Sequence, residues 1–286
     1  MTRIAFLDVD GTIQEHGDAI APSTVRAIRT ARANGHLVFL CTGRSAGDLH
    51  PKVREIGVDG EITNGGAFGT RGDELLFADP MAREDTERVI AFYQSEGMHY
   101  FLQSNDAVFA SDGVGPFVDE FFRERREKAR EELHRLGAAE DEEGGAEPPQ
   151  VIAYQPMDGA DLDAIAKSTF ISLRPDGVER AAAALGERFH VVRGSIPLPG
   201  GSNGEIGLRG TNKGSAIARV LDRLGLDARD AIGIGDSWND IEMFEVVGTP
   251  VAMGNADPHL KELAGRVTTS VLEDGVWNAF AELGLV

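Results

Sequence analysis

The first 70 residues alternate between two hydrophobic patterns. Runs that are apolar through most of their length, followed by polar residues, occur in IAFLDVD at 4–10, HLVFLCTG at 36–43 and GEITNGGAF at 60–68. Between them, segments such as 21–35 have helical spacing, with Ser23 as a candidate N-cap and Gly35 as a stop. Strands that are apolar on both faces and separated by helices are typical of a parallel sheet covered on each side. This part of the chain therefore predicts an α/β core.

The end of the chain repeats this pattern, whereas the middle does not. A helix is predicted over 211–225 and a buried strand over DAIGIGD at 230–236. From 82 to 208 the predicted strands and helices are mixed in order and more amphipathic. We therefore expect a Rossmann-like core with a parallel sheet, formed by 1–81 and 209–286, and an inserted α/β cap domain formed by 82–208. Inside the insert, 137–150 is rich in acid, glycine and proline, which predicts a solvated or disordered loop.

Composition narrows the classes of partner. The 286 residues carry a formal net charge of −19, so a nucleic-acid backbone would meet net repulsion. An anionic substrate would need local compensation from a cation or a few basic side chains. No apolar run approaches the roughly 20 residues of a membrane span, and the lone Cys41 has no partner for an internal disulfide. We expect a cytoplasmic location, no nucleic-acid or membrane partner, and a small-molecule ligand; the oligomeric state stays open.

Polar clusters directly follow three of the apolar strands. They are DVDGT at 8–12, TGR at 42–44 and GDSWND at 235–240. Ligands of open parallel sheets bind beyond the carboxyl ends of the strands, where such loops converge. Four carboxylates would gather there, those of Asp8, Asp10, Asp236 and Asp240. A cluster of this kind is tolerable only around a cation, and an oxygen-only ligand set suits Mg²⁺.

With a cation beside them, the two carboxylates of the first loop could divide the work. One aspartate can stay ionised as a nucleophile, while its neighbour carries a proton to the leaving group. Gly11 allows a sharp turn, and Thr12 can hold the loop or contact the ligand.

The ordered set of motifs resembles the haloacid dehalogenase (HAD)-like hydrolases, specifically the Cof-type phosphatases with a large inserted α/β cap. The resemblance covers the whole chain. DVDGT resembles the nucleophile loop, CTGR the phosphate-binding threonine motif, and Lys213 in RGTNKGSAI the lysine that offsets phosphate charge. GDSWNDIEMF resembles the acidic metal loop, and VAMGNA after it is also typical.

The resemblance implies a Mg²⁺-dependent phosphomonoester hydrolase that acts on a small phosphorylated metabolite, with a sugar phosphate as the expected substrate, through an aspartyl-phosphate. Asp8 would be the nucleophile, and Asp10 the general acid and base. Asp8, the backbone carbonyl of Asp10, and Asp236 would hold the metal, and Asp240 would support it through water. The remaining implied residues bind the phosphate or the metal shell: Thr42, Gly43, Arg44, Lys213 and Asn239. Asn64, Gly65 and Gly66 are typical of the family without a defined role.

Other interpretations stay open at this point. A calcium loop starting at Asp8 would need an acidic residue or asparagine, glycine and glutamate where the chain has Thr12, Ile13 and Ala19. A sugar phosphomutase, a receiver-like phospho-acceptor and a non-catalytic sugar-phosphate binding protein are alternatives to the phosphatase. Trp238 is larger than the residue that the metal loop of the family commonly carries, and we expect it to serve packing.

Overall fold

The structure is a computed structural model that describes residues 2–15, 19–115, 154–194, 198 and 200–286. The predicted acidic loop at 137–150 lies outside these residues. The described strands are β1 Ile4–Leu7, β2 Leu37–Cys41, β3 Gly60–Thr63, β4 Phe68–Arg71, β5 Glu74–Ala78, β6 His99–Gln103, β7 Val108–Ala110, β8 Gln155–Pro156, β9 Lys167–Ser172, β10 Phe189–Arg193, β11 Ser202–Leu208, β12 Ala231–Gly235, β13 Thr249–Ala252 and β14 Arg266–Val267. The described α-helices are α1 Pro22–Ala33, α2 Pro51–Arg54, α3 Arg83–Glu96, α4 Gly177–Leu185, α5 Lys213–Leu224, α6 Ile241–Val246, α7 Pro258–Leu263 and α8 Gly275–Glu282.

The larger sheet unites the two ends of the chain. Its strand order is β14-β13-β12-β1-β2-β3-β4-β5, and the strands from β14 to β3 are parallel. The predicted Rossmann-like parallel sheet is confirmed. The antiparallel edge formed by β4 and β5 was not predicted. These two strands carry polar and exposed positions, so they lack the continuous apolar run that marks a central strand.

The register of the central strands aligns their carboxyl ends. Leu7 lies opposite Ile234 on β12 and opposite Leu40 on β2, so the three strands end within one residue of the same level. The ladder continues for one step, because the backbone N–H of Asp8 donates to the carbonyl of Ile234 at 3.0 Å. The polar residues that follow these strands therefore emerge at one edge of the sheet.

The smaller sheet has the order β10-β11-β9-β6-β7-β8 and is mostly antiparallel. One hydrophobic cluster draws on residues between 4 and 77 and between 216 and 285. A second cluster draws on residues between 81 and 206 and packs α3 and α4 on the smaller sheet. The second core includes Met81, one residue before the predicted boundary at 81/82, and the division at 81/82 and 208/209 stays a prediction.

Two helix starts in the larger-sheet half differ in how they are capped. The predicted N-cap of α1, Ser23, is wrong, because the cap is Ala21 and Pro22 occupies the first helical position. Helix α5 has a capping box in which the Asn212 side chain accepts from the Ser215 backbone N–H at 2.8 Å, and Ser215 Oγ accepts from that of Asn212. Among the helices that are described, none combines the length and apolar content of a bilayer-crossing segment.

Truncation of Phe39 should destabilise the larger sheet. Its ring is fully buried 5.7 Å from that of Phe6, and it fills the space beside Gly60. We expect Phe39→Ala to lower the free energy of unfolding by about 3–5 kcal/mol, because it leaves a cavity in a core that cannot collapse freely. Urea denaturation monitored by tryptophan fluorescence measures the unfolding of the larger-sheet half, since Trp277 packs on its core and Trp238 lies after β12.

The control is Leu75→Ala on the edge strand β5, where the side chain is 59% exposed. This change should cost no more than about 0.5 kcal/mol. Equal losses in the two variants would contradict the assignment of Phe39 to the core.

Candidate active site

The loop after β1 folds back on itself through backbone hydrogen bonds. The N–H groups of Ile13 and Gln14 donate to the carbonyl of Val9, and the N–H of Gly11 donates to the carbonyl of Gln14 at 2.8 Å. Gly11 has a φ of +84°, which favours glycine. A Cβ at Gly11 would also collide with the Asp236 carboxylate. Gly11 therefore allows the turn and brings the loops after β1 and β12 into contact.

A buried lysine joins two carboxylates from different loops. The Lys213 side chain is 2% exposed, and its Nζ donates to Asp8 Oδ1 and to Asp240 Oδ1, each at 2.6 Å. Asp8 and Asp240 are themselves buried. The capping box of α5 fixes the start of this helix and so aims Lys213 between them. The three side chains come from the loop after β1, from α5 and from the loop after β12.

Asp236 completes a group of three carboxylates. One oxygen each from Asp8, Asp236 and Asp240 lie within 4.8 Å of one another. Asp240 Oδ2 accepts from the backbone N–H groups of Asp236 and Ser237, at 3.0 and 3.1 Å. Asp236 Oδ1 is buried, and no described residue offers it a hydrogen bond. With Lys213 as the cation, the ionised cluster keeps two uncompensated negative charges, so its donor set fits a divalent cation.

The electrostatic setting favours protonated carboxyls while no cation is bound. Burial raises the pKa of Asp236 to about 7, and the negative charge of Asp240 adds to the shift. Burial also raises the pKa of Asp8 well above its ordinary value, although Lys213 opposes it. Burial alone would lower the pKa of Lys213, but the carboxylates of Asp240 and Asp8 raise it above the usual range. Lys213 is therefore charged, and Asp236 titrates near neutral pH.

The Asp10 carboxylate is not part of this cluster and binds Arg44. Arg44 Nε and Nη2 each donate to an Asp10 oxygen at 2.7 Å, and Gln14 Nε2 donates to Asp10 Oδ1 at 3.0 Å. Burial opposes ionisation of Asp10, but the hydrogen bonds and charge of Arg44 hold its pKa below the ordinary value. Three of the four carboxylates expected to gather therefore do so. The predicted metal contact of Asp10 is its backbone carbonyl, which stays a prediction.

The predicted phosphate-binding residues line one side of the same edge. Asn239 Nδ2 lies 3.9 Å from the point where Gly43 would carry a Cβ, and Thr42 is buried beside it. The backbone N–H groups of Asn64 and Gly65 donate to the carbonyls of Arg44 and Thr42, at 2.7 and 3.0 Å.

The loop at 64–66 also contacts the start of α5. Gly66 lies so close to Asn212 that a Cβ would collide with the Asn212 carbonyl. This loop therefore packs Thr42–Arg44 and the start of α5 against each other, which gives its glycines a physical role.

Sequence reasoning did not single out two residues that organise the site. Gln14 holds Asp10 from within the loop after β1. Asn255 Nδ2 donates to the carbonyl of Gly11 at 2.8 Å and so ties the loop after β13 to the loop after β1. The VAMGNA segment that contains Asn255 resembles a motif of the family, but the sequence does not show which backbone carbonyl the asparagine side chain contacts.

A family profile described as haloacid dehalogenase-like hydrolase matches residues 5–280. The chain belongs to this family. Its relatives include the Bacillus subtilis protein YkrA, named as a phosphatase, which is 31% identical over all of this chain and 99% of its own length. The B. subtilis 5-amino-6-(5-phospho-D-ribitylamino)uracil phosphatase YwtE is 27% identical and covers 94% of each chain.

Among solved structures, the HAD subclass IIB sugar phosphatase BT4131 matches with a TM-score of 0.72 at 22% identity, over the full length of both chains. This likeness supports the fold of a HAD-like hydrolase with an inserted domain. The predicted membership of the Cof-type branch and the predicted enzyme class, a HAD-type phosphatase, are confirmed.

Removal of the Lys213 ammonium should destabilise this HAD-type phosphatase. Lys213→Met keeps the length of the side chain but leaves Asp8 and Asp240 buried without their cation. We expect a loss of about 3–5 kcal/mol in the free energy of unfolding at pH 8 without divalent cations. The loss should be smaller at pH 5, because the raised pKa of Asp8 lets protonation remove charge from the cluster.

Urea denaturation at the two pH values measures the effect. Lys52→Met, at an exposed position on α2, is the matched control and should change stability by less than about 0.5 kcal/mol. A Lys213→Met protein as stable at pH 8 as the wild type would contradict the bridging role.

Proposed function

We propose that this HAD-type phosphatase is a Mg²⁺-dependent phosphomonoester hydrolase that acts on a small phosphorylated metabolite, a sugar phosphate, through an aspartyl-phosphate. The observation that carries the proposal is the buried contact of Asp8 with Lys213, beside Asp236 and Asp240 and at the edge that also holds Thr42 and Gly43. This arrangement combines a nucleophile, a fixed cation and an acidic ion site in one place.

Asp8 is the proposed nucleophile. One of its carboxylate oxygens forms a bond to phosphorus while the ester P–O bond breaks, and the departing oxygen takes a proton from Asp10. Water then attacks the aspartyl-phosphate, with Asp10 accepting a proton from it, and inorganic phosphate leaves. This division into two displacements is the usual advantage of covalent catalysis. Lys213 lowers the pKa of Asp8 against the effect of burial and offsets charge on the phosphoryl oxygens.

The proposed metal ligands are Asp8, the backbone carbonyl of Asp10, and Asp236, with Asp240 in support. The unpartnered Asp236 Oδ1 and the excess negative charge of the cluster fit a divalent cation. Mg²⁺ in this position would neutralise charge on the phosphoryl group and fix its orientation.

Arg44 has to leave Asp10 before Asp10 can donate a proton. While both oxygens of Asp10 accept from Arg44, the carboxylate is held in its ionised form. We propose that a bound phosphoryl group draws Arg44 away, since Arg44 is also a proposed phosphate ligand with Thr42, Gly43, Lys213 and Asn239. Loss of the guanidinium then lets the pKa of Asp10 rise toward that of a general acid.

The proposed substrate class rests on the relatives. One is named as a phosphatase of a phosphoribityl compound, and a neighbour in fold is a sugar phosphatase. We propose that the residues between 82 and 208 form the cap that covers the site and selects the leaving group. The cytoplasmic location expected from the sequence stays a prediction.

Binding of Mg²⁺ should strengthen as pH rises from 6 to 8. The pKa of Asp236 is about 7, so a cation must displace a proton at pH 6 but not at pH 8. We expect the rise in Tm caused by a few millimolar Mg²⁺ to be larger at pH 8. Without the cation, stability should fall as pH rises from about 4 to 7, because the folded state holds a proton on Asp236 that the unfolded chain has lost.

Differential scanning fluorimetry over this pH range, with Mg²⁺ or with a chelator, measures both effects. Asp236→Asn should abolish most of the Mg²⁺-dependent rise and flatten the pH dependence. An equal response to Mg²⁺ in Asp236→Asn and wild type would contradict the metal assignment.

Two variants should separate the roles of Asp8 and Asp10. With p-nitrophenyl phosphate, whose leaving group needs little protonation, Asp10→Asn should accumulate aspartyl-phosphate because attack persists while water activation fails. Asp8→Asn should form none. We expect turnover to fall by at least roughly 10²–10⁴-fold in each case. Rapid quench followed by mass spectrometry would locate an added phosphoryl group on the peptide that contains Asp8.

The wild-type reference is phosphate release from a panel of phosphomonoesters, with Mg²⁺ and with excess chelator. Full turnover in chelator would end the metal proposal. A label on Asp10, or a label trapped in Asp8→Asn, would overturn the division of roles.

A further inference from the structure

A lysine of the smaller sheet lies beside the proposed phosphate-binding residues of the larger sheet. Lys167 begins β9 opposite Gln103 and Gly207, and its side chain is only 11% exposed. Its Nζ lies 4.0 Å from the point where Gly43 would carry a Cβ. Asn239 Nδ2 lies 3.9 Å from that same point. Hydrogen-bond donors from the two halves of the molecule therefore converge on Gly43.

The face of the smaller sheet that bears Lys167 is the one opposite its helices. Ser168 and Phe170 pack on α3, where Ser168 Oγ lies 2.8 Å from the Tyr93 hydroxyl. Because successive residues of a strand point to opposite faces, Lys167 and Thr169 project from the other face. Glu205 lies opposite Thr169 on β11 and shares that face.

A loop contact holds this face over the site. The loop after β6 docks on the larger-sheet half, where Asn105 Oδ1 accepts from Thr63 Oγ1 at 2.7 Å and from Asn64 Nδ2 at 3.3 Å. The carbonyl of Asn105 accepts from the backbone N–H of Gly47 at 3.0 Å. A Cβ on Gly47 would lie 2.5 Å from the Asp106 carbonyl, so the approach needs glycine there. This contact thus holds Lys167 beside Gly43 in the arrangement that the structure shows.

The charge around Lys167 indicates what it can bind. Its Nζ donates to Glu205 Oε2 at 2.9 Å, so the ammonium already has a counter-ion. The Asp48 carboxylate lies near Lys167 and contacts the Arg44 guanidinium at 3.7 Å. Arg44 is itself paired with Asp10. A second anionic group on the substrate would be repelled by these carboxylates. The two cations, Lys167 and Arg44, are already paired with carboxylates.

A hydroxyl group suits the pair better than an anion. An ammonium has three hydrogens to donate, and a carboxylate has about four lone-pair positions, so each partner keeps spare capacity after the Lys167–Glu205 contact. A hydroxyl can accept from the ammonium and donate to the carboxylate at the same time. Glu205 is 49% exposed, which leaves room for such a contact.

We propose that Lys167 and Glu205 form a pair that recognises the leaving group by its hydroxyls and selects uncharged, polyhydroxylated leaving groups over apolar ones and over those with a second anion. This rests on the proposed phosphatase function and assigns its leaving-group specificity to two residues of the smaller sheet.

The test compares three classes of phosphate ester. The probes are a panel of aldohexose 6-phosphates, cyclohexylmethyl phosphate, which has a similar ring without hydroxyls, and a hexose 1,6-bisphosphate. For the wild type we expect kcat/KM to be at least 10-fold higher for the best aldohexose phosphate than for either of the others. Lys167→Met and Glu205→Gln should each reduce the preference for the hydroxylated ester over the cyclohexyl ester by roughly 10-fold or more, as expected for loss of a hydrogen bond to a charged group.

Glu205→Gln has a second, opposite signature. It removes the counter-ion and leaves the Lys167 ammonium unpaired, so the preference for the bisphosphate over the monophosphate should rise. Lys167→Arg keeps the charge and the donors and should recover part of the lost selectivity. Lys52→Met, at an exposed position on α2, is the matched lysine control and should keep the wild-type ratios.

The outcomes separate this inference from the function on which it rests. If the wild type cleaves none of the esters, including p-nitrophenyl phosphate, the proposed function fails. If the wild type cleaves them but prefers the cyclohexyl ester or the bisphosphate, or if either variant keeps the wild-type ratios, the function stands and the assignment to the Lys167–Glu205 pair is overturned.

Discussion

The Lys213 ammonium between Asp8 and Asp240 is the interaction on which the site depends. Two buried carboxylates within 2.6 Å of one nitrogen are stable only if the backbone delivers all three groups to the same place. The register of β1 and β12 places Asp8 beside the loop that holds Asp236 and Asp240, and the capping box of α5 positions Lys213. The packing of the larger sheet therefore maintains an electrostatic arrangement that would be costly anywhere else in the protein.

The same constraint accounts for the glycines around the site. Gly11 brings Asp236 close to the loop after β1, and Gly235 makes room for the Asp240 carboxylate. Gly66 lets the loop after β3 approach Asn212, directly before Lys213. Each of these contacts is a close approach of backbone to a charged group or to another backbone, and a methyl group would prevent it. The acidic cluster is compact because Gly11 and Gly235, which lie against its carboxylates, have no side chains.

Much of this fold could be predicted from the sequence, because the central strands are apolar on both faces and the polar clusters follow them directly. IAFL and LVFLC have that pattern, and their ends lie side by side as expected. The β4–β5 hairpin was not predicted because each of its strands has exposed and polar positions in place of a continuous buried apolar run. The predicted N-cap of α1 was wrong because Pro22 starts the helix without a side-chain cap. The contact of Asp10 with Arg44 was not predicted either. An arginine 34 residues away could have pointed to phosphate or to carboxylate, and the choice depends on the conformation of two loops.

Asp8 and Lys213 are 205 residues apart in the chain, which has a consequence for biosynthesis. During translation β1 emerges first, yet its neighbour β12 and the lysine of α5 are made only after the whole stretch between them. Asp8 therefore has no buried cation beside it until Lys213 has been synthesised. The residues of the smaller sheet lie together in sequence and have their own apolar core, so they can fold while β1 still waits for its partner. The site can thus form only after the smaller sheet has been synthesised, and a chain that stops before Lys213 would lack it.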